Sequence, residues 1–568
     1  MVIARVVAAL ALLVMLTVAA APEGVRVDAA GCPPRDTRGA AGYPITGYWM
    51  NPRPDRCETR LVLSEMRRVG ADTVITFGSR LTAVRADAAG RLLDARTGQA
   101  DPALAGCLDG GRPCYLAARD AVPGKEIRRA FTYVAPEHFG PGLLRCPGLD
   151  RRIESGGRSY YRILLGASCT AGPFDLVLAV SDGDGIGNLL AEAAGHGMKV
   201  YPGLPAAPQD PAKPWLPHLA HLDVVNTFTR RVLDDYRHRH GASSALAGVY
   251  QSFELAMRDR ADDDEVLALY RAQHAVAAAA LPGRTIVVSP YWDARRGRGF
   301  PPAEAGEGFA EIAATRAGAP MAIAIQDGRG AGKVPVYGPD QAEAPVDPRL
   351  EPVVGAVTNR QAYLGSTRDY VEAAASRPVP GVELWVNVEL FEPTPVAGEC
   401  SRTDPLPLRG RASKARVDGQ VMAVGGHAAK IIAYRWEPFV ICRDDWDSPS
   451  LGESIAAAWN DPLIVRATRR GVAGREGIQV EGHNLAGGTL RISYRQPGGA
   501  ATAAAGAAVD TVVTVVQERH TPAARPGGLE TAWAPFTPAG LDPARPWITV
   551  TATNGAGRSS TNGHVFRG

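Results

Sequence analysis

Residues 246–289 read LAGVYQSFELAMRDRADDDEVLALYRAQHAVAAAALPGRTIVVS. Leu246–Phe253 is a short apolar run, the pattern of a buried strand. Asp262–Ala280 reads as a helix. Asp262 to Glu265 crowd its start, where carboxylates complement the helix dipole. Arg284–Ser289 is a second apolar run bounded by Pro282-Gly283. A strand, a helix and a strand in this order form the repeating unit of a parallel α/β fold.

The same alternation extends in both directions. The expected strands are Pro44–Trp49, Asp72–Phe77, Lys199–Leu204, Leu246–Phe253, Arg284–Ser289, Pro320–Gln326, Val382–Val388 and Lys430–Trp436. Helices are expected over Glu58–Val69, Gly185–Gly195, Val224–Arg239, Asp262–Ala280, Ala303–Arg316, Glu351–Ala375 and Ser413–Gly425. Eight strands separated by helices predict an α/β protein built on a (β/α)8 TIM barrel over residues 43–470. A doubly wound open sheet is the alternative. Residues of about 79–180 break the alternation after the second strand, and this large insertion holds four cysteines. Past Arg470 the texture changes to short alternating runs punctuated by Gly, Asn and Pro. Residues 471–568 are therefore expected to form a small all-β sandwich.

The chain has 568 residues, with 62 Lys+Arg against 59 Asp+Glu and a formal net charge of +3. No basic excess is available to neutralise phosphates, which argues against nucleic acid as the main partner. At 45% hydrophobic and 21% charged residues the composition is globular rather than disordered. Lysine is scarce, and nearly all the positive charge is arginine. Residues 1–21 have a short cationic start and an apolar run ending in small residues, the layout of a secretory signal peptide. A segment over 22–42 leads into the barrel. No second apolar run approaches spanning length, so the mature chain is expected to lie outside the cell with no membrane span, as a monomer.

The cysteines fit export. There are eight, Cys32, Cys57, Cys107, Cys114, Cys146, Cys169, Cys400 and Cys442. None forms a CxxC pair. Eight allow on the order of a hundred pairings, and the sequence cannot choose among them. Local pairing, Cys32–Cys57, Cys107–Cys114, Cys146–Cys169 and Cys400–Cys442, is the guess adopted, with some left free as the alternative.

A barrel carries its chemistry at the C-terminal ends of its strands. The fourth run ends in Glu254 and the seventh, Val382-Glu383-Leu384-Trp385-Val386-Asn387-Val388, ends in Glu389. Glycoside cleavage needs such a pair, one carboxyl to protonate the leaving oxygen and one carboxylate to attack or stabilise. Aromatic residues recur near the strand ends, Trp49, Tyr291, Trp292 and Trp436, with Trp385 inside the seventh strand. Sugar rings stack on aromatic faces, and their hydroxyls need fixed polar partners. Gln326, Asp327, Arg329, Asn387 and Glu392 are the candidate partners. A catalytically silent carbohydrate-binding or envelope scaffold protein on the same barrel is the alternative, with each glutamate a salt-bridged rim residue.

Several other motifs do not develop. Gly183-Asp184-Gly185-Ile186-Gly187 follows an apolar run but lacks the later glycine and acidic residue of a dinucleotide site. Asp182 and Asp184 lack the remaining ligands of a calcium loop, and a helix N-terminus is the better reading. The histidines stand outside any HExxH, and no GxSxG is present. No cofactor and no metal are expected.

Ser289-Pro290-Tyr291, Gln326-Asp327-Gly328 and Leu384-Trp385-Val386-Asn387-Val388-Glu389-Leu390-Phe391-Glu392 fall in the order found in a secreted bacterial family. Gly47-Tyr48-Trp49 and Ala71-Asp72-Thr73-Val74-Ile75 fit as well. Over roughly Pro44 to Phe439 the chain resembles the domain-of-unknown-function family numbered, in words, forty-four thirty-four. That family looks like a glycoside hydrolase barrel and supplies no substrate. The closing run Trp547–Asn554 resembles the last strands of immunoglobulin-like modules. Glutamates at strands four and seven also resemble the arrangement of retaining barrel glycosidases. The resemblance implies Glu254 as acid/base and Glu389 as nucleophile, although Phe253 stands where those enzymes have Asn. The expectation is thus a secreted, retaining glycoside hydrolase acting on an extracellular polysaccharide or cell-envelope glycan.

Overall fold

The computed structural model describes residues 31–36, 39–122, 124, 126–258, 264–393, 400, 409–497, 509–524 and 528–568. The expected signal peptide and residues 22–30 of the segment that follows it lie outside the described residues.

The eight barrel strands are β1 Ile45–Trp49, β2 Thr73–Ile75, β3 Lys199–Tyr201, β4 Gly248–Gln251, β5 Thr285–Val288, β6 Met321–Gln326, β7 Val382–Glu389 and β8 Lys430–Tyr434. They form one parallel sheet in the order β3-β2-β1-β8-β7-β6-β5-β4. Parallel bridges Val200 to Leu246 and Gly203 to Tyr250 bring the two edges together. The fold is a TIM barrel.

Strand alternation sorts the side chains. Trp49, Ile75, Tyr201, Tyr250, Val287, Ala322, Ala324, Trp385 and Ile432 fill the lumen. Their neighbours along each strand, such as Tyr48, Val74, Val249, Ile323 and Val386, pack outward beneath the helices. Gly47 is required where β1 meets β8, since a Cβ there would lie 2.5 Å from the Ile432 side chain. After β2 and β3 the chain pinches again. A Cβ on Gly203 would meet the Gly78 nitrogen at 2.0 Å, so both crossing backbones carry glycine.

The helices start where the sequence supplies caps. The Asp55 carboxylate accepts the N–H groups of Cys57 and Glu58 ahead of Arg56–Arg68. Asp184 caps Gly185–His196 by accepting from Gly187, while Asp182 pairs with Arg158. The helix Arg56–Arg68 is tied to Gly185–His196 through the buried Glu192 carboxylate. It pairs with Arg60 at 2.8 Å, Arg56 at 2.6 Å and Arg35 at 3.0 Å.

The insertion forms a six-stranded sheet ordered Leu92–Asp94, Thr82–Ala86, Ile127–Ala135, Phe174–Ser181, Arg158–Leu165, Arg151–Ser155. It encloses its own core of Leu164, Phe174, Leu176 and Leu178 around Cys107, Cys114 and Cys146. The disulfides join Cys32–Cys57, Cys107–Cys114, Cys146–Cys169 and Cys400–Cys442. The C-terminal part is a β-sandwich of two antiparallel four-stranded sheets closing over Ile478, Val480, Leu490, Ile492, Ile548 and Val550. Its first strand, Leu463–Arg469, begins ahead of residue 471, because this run pairs with Gly477–His483 rather than with the barrel. Among the described residues no helix is long and apolar enough to cross a membrane.

Candidate active site at the barrel mouth

Ser252 and Glu254 follow the lumen-filling Tyr250 just past the end of β4. Ser252 Oγ donates to the Leu204 carbonyl at 2.9 Å and accepts the Gly78 N–H at 2.9 Å, which pins the chain leaving β4. Bridges from Tyr291 to Ala256 and to Gln326 carry the sheet one step beyond β5. Glu254 is open to solvent, but the walls of the mouth displace much of the surrounding water. Its carboxyl pKa is raised by that desolvation and held down in part by a hydrogen bond with Gln326 and by the Lys333 ammonium.

Glu389 ends β7 and is 6% exposed. One carboxylate oxygen accepts the Ala331 N–H at 2.7 Å. Its pKa is raised by burial and by the neighbouring Asp327, against the opposing pull of Lys333 and Arg409. Asp327 is fully buried. It accepts the backbone N–H of Glu389 at 3.2 Å, the N–H of Arg329 at 3.3 Å and the Gln420 side-chain amide at 2.6 Å. Gln420 also donates to the Glu389 carbonyl at 3.0 Å. Asp327 therefore carries more hydrogen bonds than Glu389 and is the better site for the charge the two share.

Lys333 and Tyr434 link the two glutamates. The Lys333 ammonium lies 3.6 Å from the ring centroid of Tyr291 and is stabilised by both Glu389 and Glu254. Tyr434, at the end of β8, is pushed up by burial, with smaller contributions from the same two carboxylates. Neither residue belongs to the set expected from sequence. The scarcity of lysine was the available signal for Lys333, since a lone lysine in an arginine-rich chain stands out.

The remaining candidates divide. Tyr291 and Gln326 stand half-buried at the mouth. Trp49 is corrected: it is fully buried in the lumen, edge-on to Tyr250 at 5.7 Å and tilted against Phe77 at 6.4 Å, and offers no free face to a sugar. Asn387 points inward and donates to Ser289 Oγ at 3.2 Å.

Others are corrected. Trp292 is fully buried and lies against Tyr370 at 5.4 Å, because it follows Tyr291 by one residue and so faces outward under the helices. Trp436 lies past the end of β8 and packs edge-on to Tyr48 in the outer core. Trp385 points inward but sits level with Lys430, the first residue of β8, so it fills the far half of the lumen. None of the three offers a free face to a sugar. Arg329 is buried over the Tyr337 ring at 3.1 Å. Glu392 is taken up by Arg349 at 2.8 Å and by Arg416. Asp327 stands behind Glu389 and is no hydroxyl partner.

The fold defines the class: a TIM barrel with Glu389 at the end of β7 and Glu254 three residues past β4. Among the described residues no group of three His, Cys, Asp or Glu side chains could hold a metal ion. Comparison with known proteins adds little to this. A model described as a domain of unknown function (DUF8405) matches residues 99–180, which lie in the insertion. That match touches none of the barrel motifs, so the resemblance read from them is not carried by it. No curated protein matches the chain. A candidate alpha-L-fucosidase from Bacteroides thetaiotaomicron is 15% identical with a TM-score of 0.37, covering 76% of this chain and 97% of its own. The endo-beta-1,4-mannanase from Thermotoga petrophila is 10% identical with a TM-score of 0.28, covering 94% and 98%. Likenesses of that order fix neither fold nor chemistry.

Proposed function

We propose that the protein is a secreted glycoside hydrolase of the retaining type, acting on an extracellular polysaccharide or cell-envelope glycan. The observation that carries the reading is the hydrogen bond of Glu254 with Gln326, whose register partner Asn387 stands two residues before Glu389. In this reading Glu254, with its raised pKa, gives its proton to the leaving glycosidic oxygen while Glu389 attacks the anomeric carbon. Glu254 then takes a proton from water, which displaces Glu389 and frees the sugar. Tyr291 and Gln326 line the approach. The likeness of the barrel motifs to the secreted family named above belongs to the same reading, as does export. Four disulfides are consistent with an oxidising compartment.

The burial of Asp327 beside Glu389 favours a second assignment, in which the roles are exchanged and Glu389 is the protonated acid. The test is a screen against bacterial and plant cell-wall glycans with Glu254→Gln and Glu389→Gln. Each substitution should abolish turnover with the fold intact, and unchanged hydrolysis in either removes that residue from catalysis. Azide added to Glu254→Ala and Glu389→Ala separates the assignments. The nucleophile variant yields a glycosyl azide of inverted configuration, and the acid/base variant one of retained configuration.

A further inference from the structure

A cleft of about 490 Å³ opens between the insertion sheet and the loop that follows β3. That volume suits a small ligand or one or two sugar units. Five arginines line it, Arg80, Arg85, Arg96, Arg128 and Arg129, against one carboxylate, Asp94. The +3 charge of the whole chain gives no hint of this local excess.

The five are not equivalent. Arg128 is bonded to the buried Asp175, and Arg129 to Asp175 at 2.8 Å and to the exposed Asp223 at 2.6 Å. Asp94 is occupied by its own turn, accepting the N–H groups of Arg96 at 2.8 Å and Thr97 at 2.7 Å. Arg80 and Arg85 have no ion pair among the described residues. Burial and the charge of Arg96 both lower the Arg80 pKa. Two guanidinium groups held near each other repel, and an oxyanion between them reverses the sign of that interaction.

Two further features face the same cleft or its border. His221 Nδ1 is buried without a protein partner, and the His218 ring stands edge-on to His221 at 4.4 Å. The loop after β3 contributes Pro208, Gln209 and Pro211 to the rim. Arg80 itself follows β2 and bridges Ala206 after β3, so the cleft opens on the barrel face that bears Glu254 and Glu389.

We infer that this cleft binds the oxyanion of an acidic saccharide, a carboxylate or sulfate group held between Arg80 and Arg96. The oxyanion site stands on the cleft alone, and only the saccharide carrier rests on the glycoside hydrolase reading. Recognition of this kind makes the insertion a selector for charged over neutral glycans.

The test is calorimetric titration of the full chain with sodium sulfate, oligogalacturonate and neutral mannooligosaccharide. The variants are Arg80→Gln/Arg96→Gln and, as a charge-matched control in the sandwich, Arg491→Gln/Arg519→Gln. The expected result is that oligogalacturonate binds, that Kd rises at least tenfold in the first variant, and that the control changes nothing. Glu389→Gln, which tests the hydrolase reading, should leave this binding unchanged. Equal binding of sulfate and oligogalacturonate to wild type and to Arg80→Gln/Arg96→Gln, or no binding of either, overturns the proposal. Sulfate binding that depends on the two arginines, with oligogalacturonate no tighter than sulfate, refutes the saccharide carrier and leaves an oxyanion site. Unaltered thermal unfolding of the variants shows that the exposed arginines were removed without loss of fold.

Discussion

The backbone N–H of Glu389 donates to the Asp327 carboxylate at 3.2 Å, so the residue at the end of β7 is held by a buried acid from the end of β6. Burial raises the pKa of both carboxyls, and the charge of Asp327 raises that of Glu389 further.

Asp327→Asn removes a negative charge from beside Glu389. The Glu389 carboxyl should then titrate at lower pH, because a like charge no longer opposes its ionisation. Carbon-13 NMR titration of glutamate side chains, with Glu389→Gln identifying the resonance, measures the shift directly. An unmoved titration would sever the electrostatic link between the two groups.

Lys333→Met acts in the opposite sense. Its ammonium favours the ionised forms of Glu254 and Glu389. Both carboxyls should titrate at higher pH in the variant, and a pH–rate profile on any accepted substrate should move its acidic limb upward. A profile that keeps both limbs in place would exclude Lys333 from the site's electrostatics.

Glu192→Ala should destabilise the protein by about 3–5 kcal/mol, since it leaves the buried Arg60 guanidinium without its carboxylate. Urea unfolding followed by circular dichroism reads this. The three arginines hold the Glu192 pKa down at about 2, below its ordinary 4.5. Its contribution is therefore present above pH 4.5 and is lost as pH falls toward 2, a loss the variant should not show.

Glu137 behaves in the reverse way. It is 1% exposed, accepts the Tyr236 hydroxyl at 3.0 Å, and burial pushes its pKa up to about 8 from 4.5. The folded protein thus binds a proton that the unfolded chain has released, so stability falls as pH rises from 4.5 to 8. Glu137→Gln keeps the shape and removes the ionisation. Its melting temperature should decline less over that range than that of the wild type, and parallel curves would contradict the assignment.

Much of the barrel was legible because its information is local. The run Leu246–Tyr250 carries no charged or strongly polar side chain, as a strand buried on both faces requires, and the appearance of such runs eight times set the architecture. The inward direction of Glu389 follows from counting by twos from Trp385, whereas Glu254 lies three residues beyond β4 and is turned to the mouth by its hydrogen bond with Gln326. Proximity along the chain also favoured the four disulfides as they pair. The same counting fails past the last strand residue. Trp292 and Trp436 looked like sugar platforms because they stand near strand ends, yet one extra residue, or a turn of chain, sends each ring into the outer core.

By itself the sequence determined the succession of strands and helices, the change to a β-sandwich, and the carboxylates that follow β4 and end β7. These depend on the spacing of apolar residues over one element at a time. Only the tertiary structure decided which groups surround those carboxylates. Lys333, Tyr434 and Gln420 reach the site from three separate segments, and the cleft arginines gather from the insertion and the end of β2. Such meetings are set by the paths of loops between elements, and no periodicity in the chain encodes them.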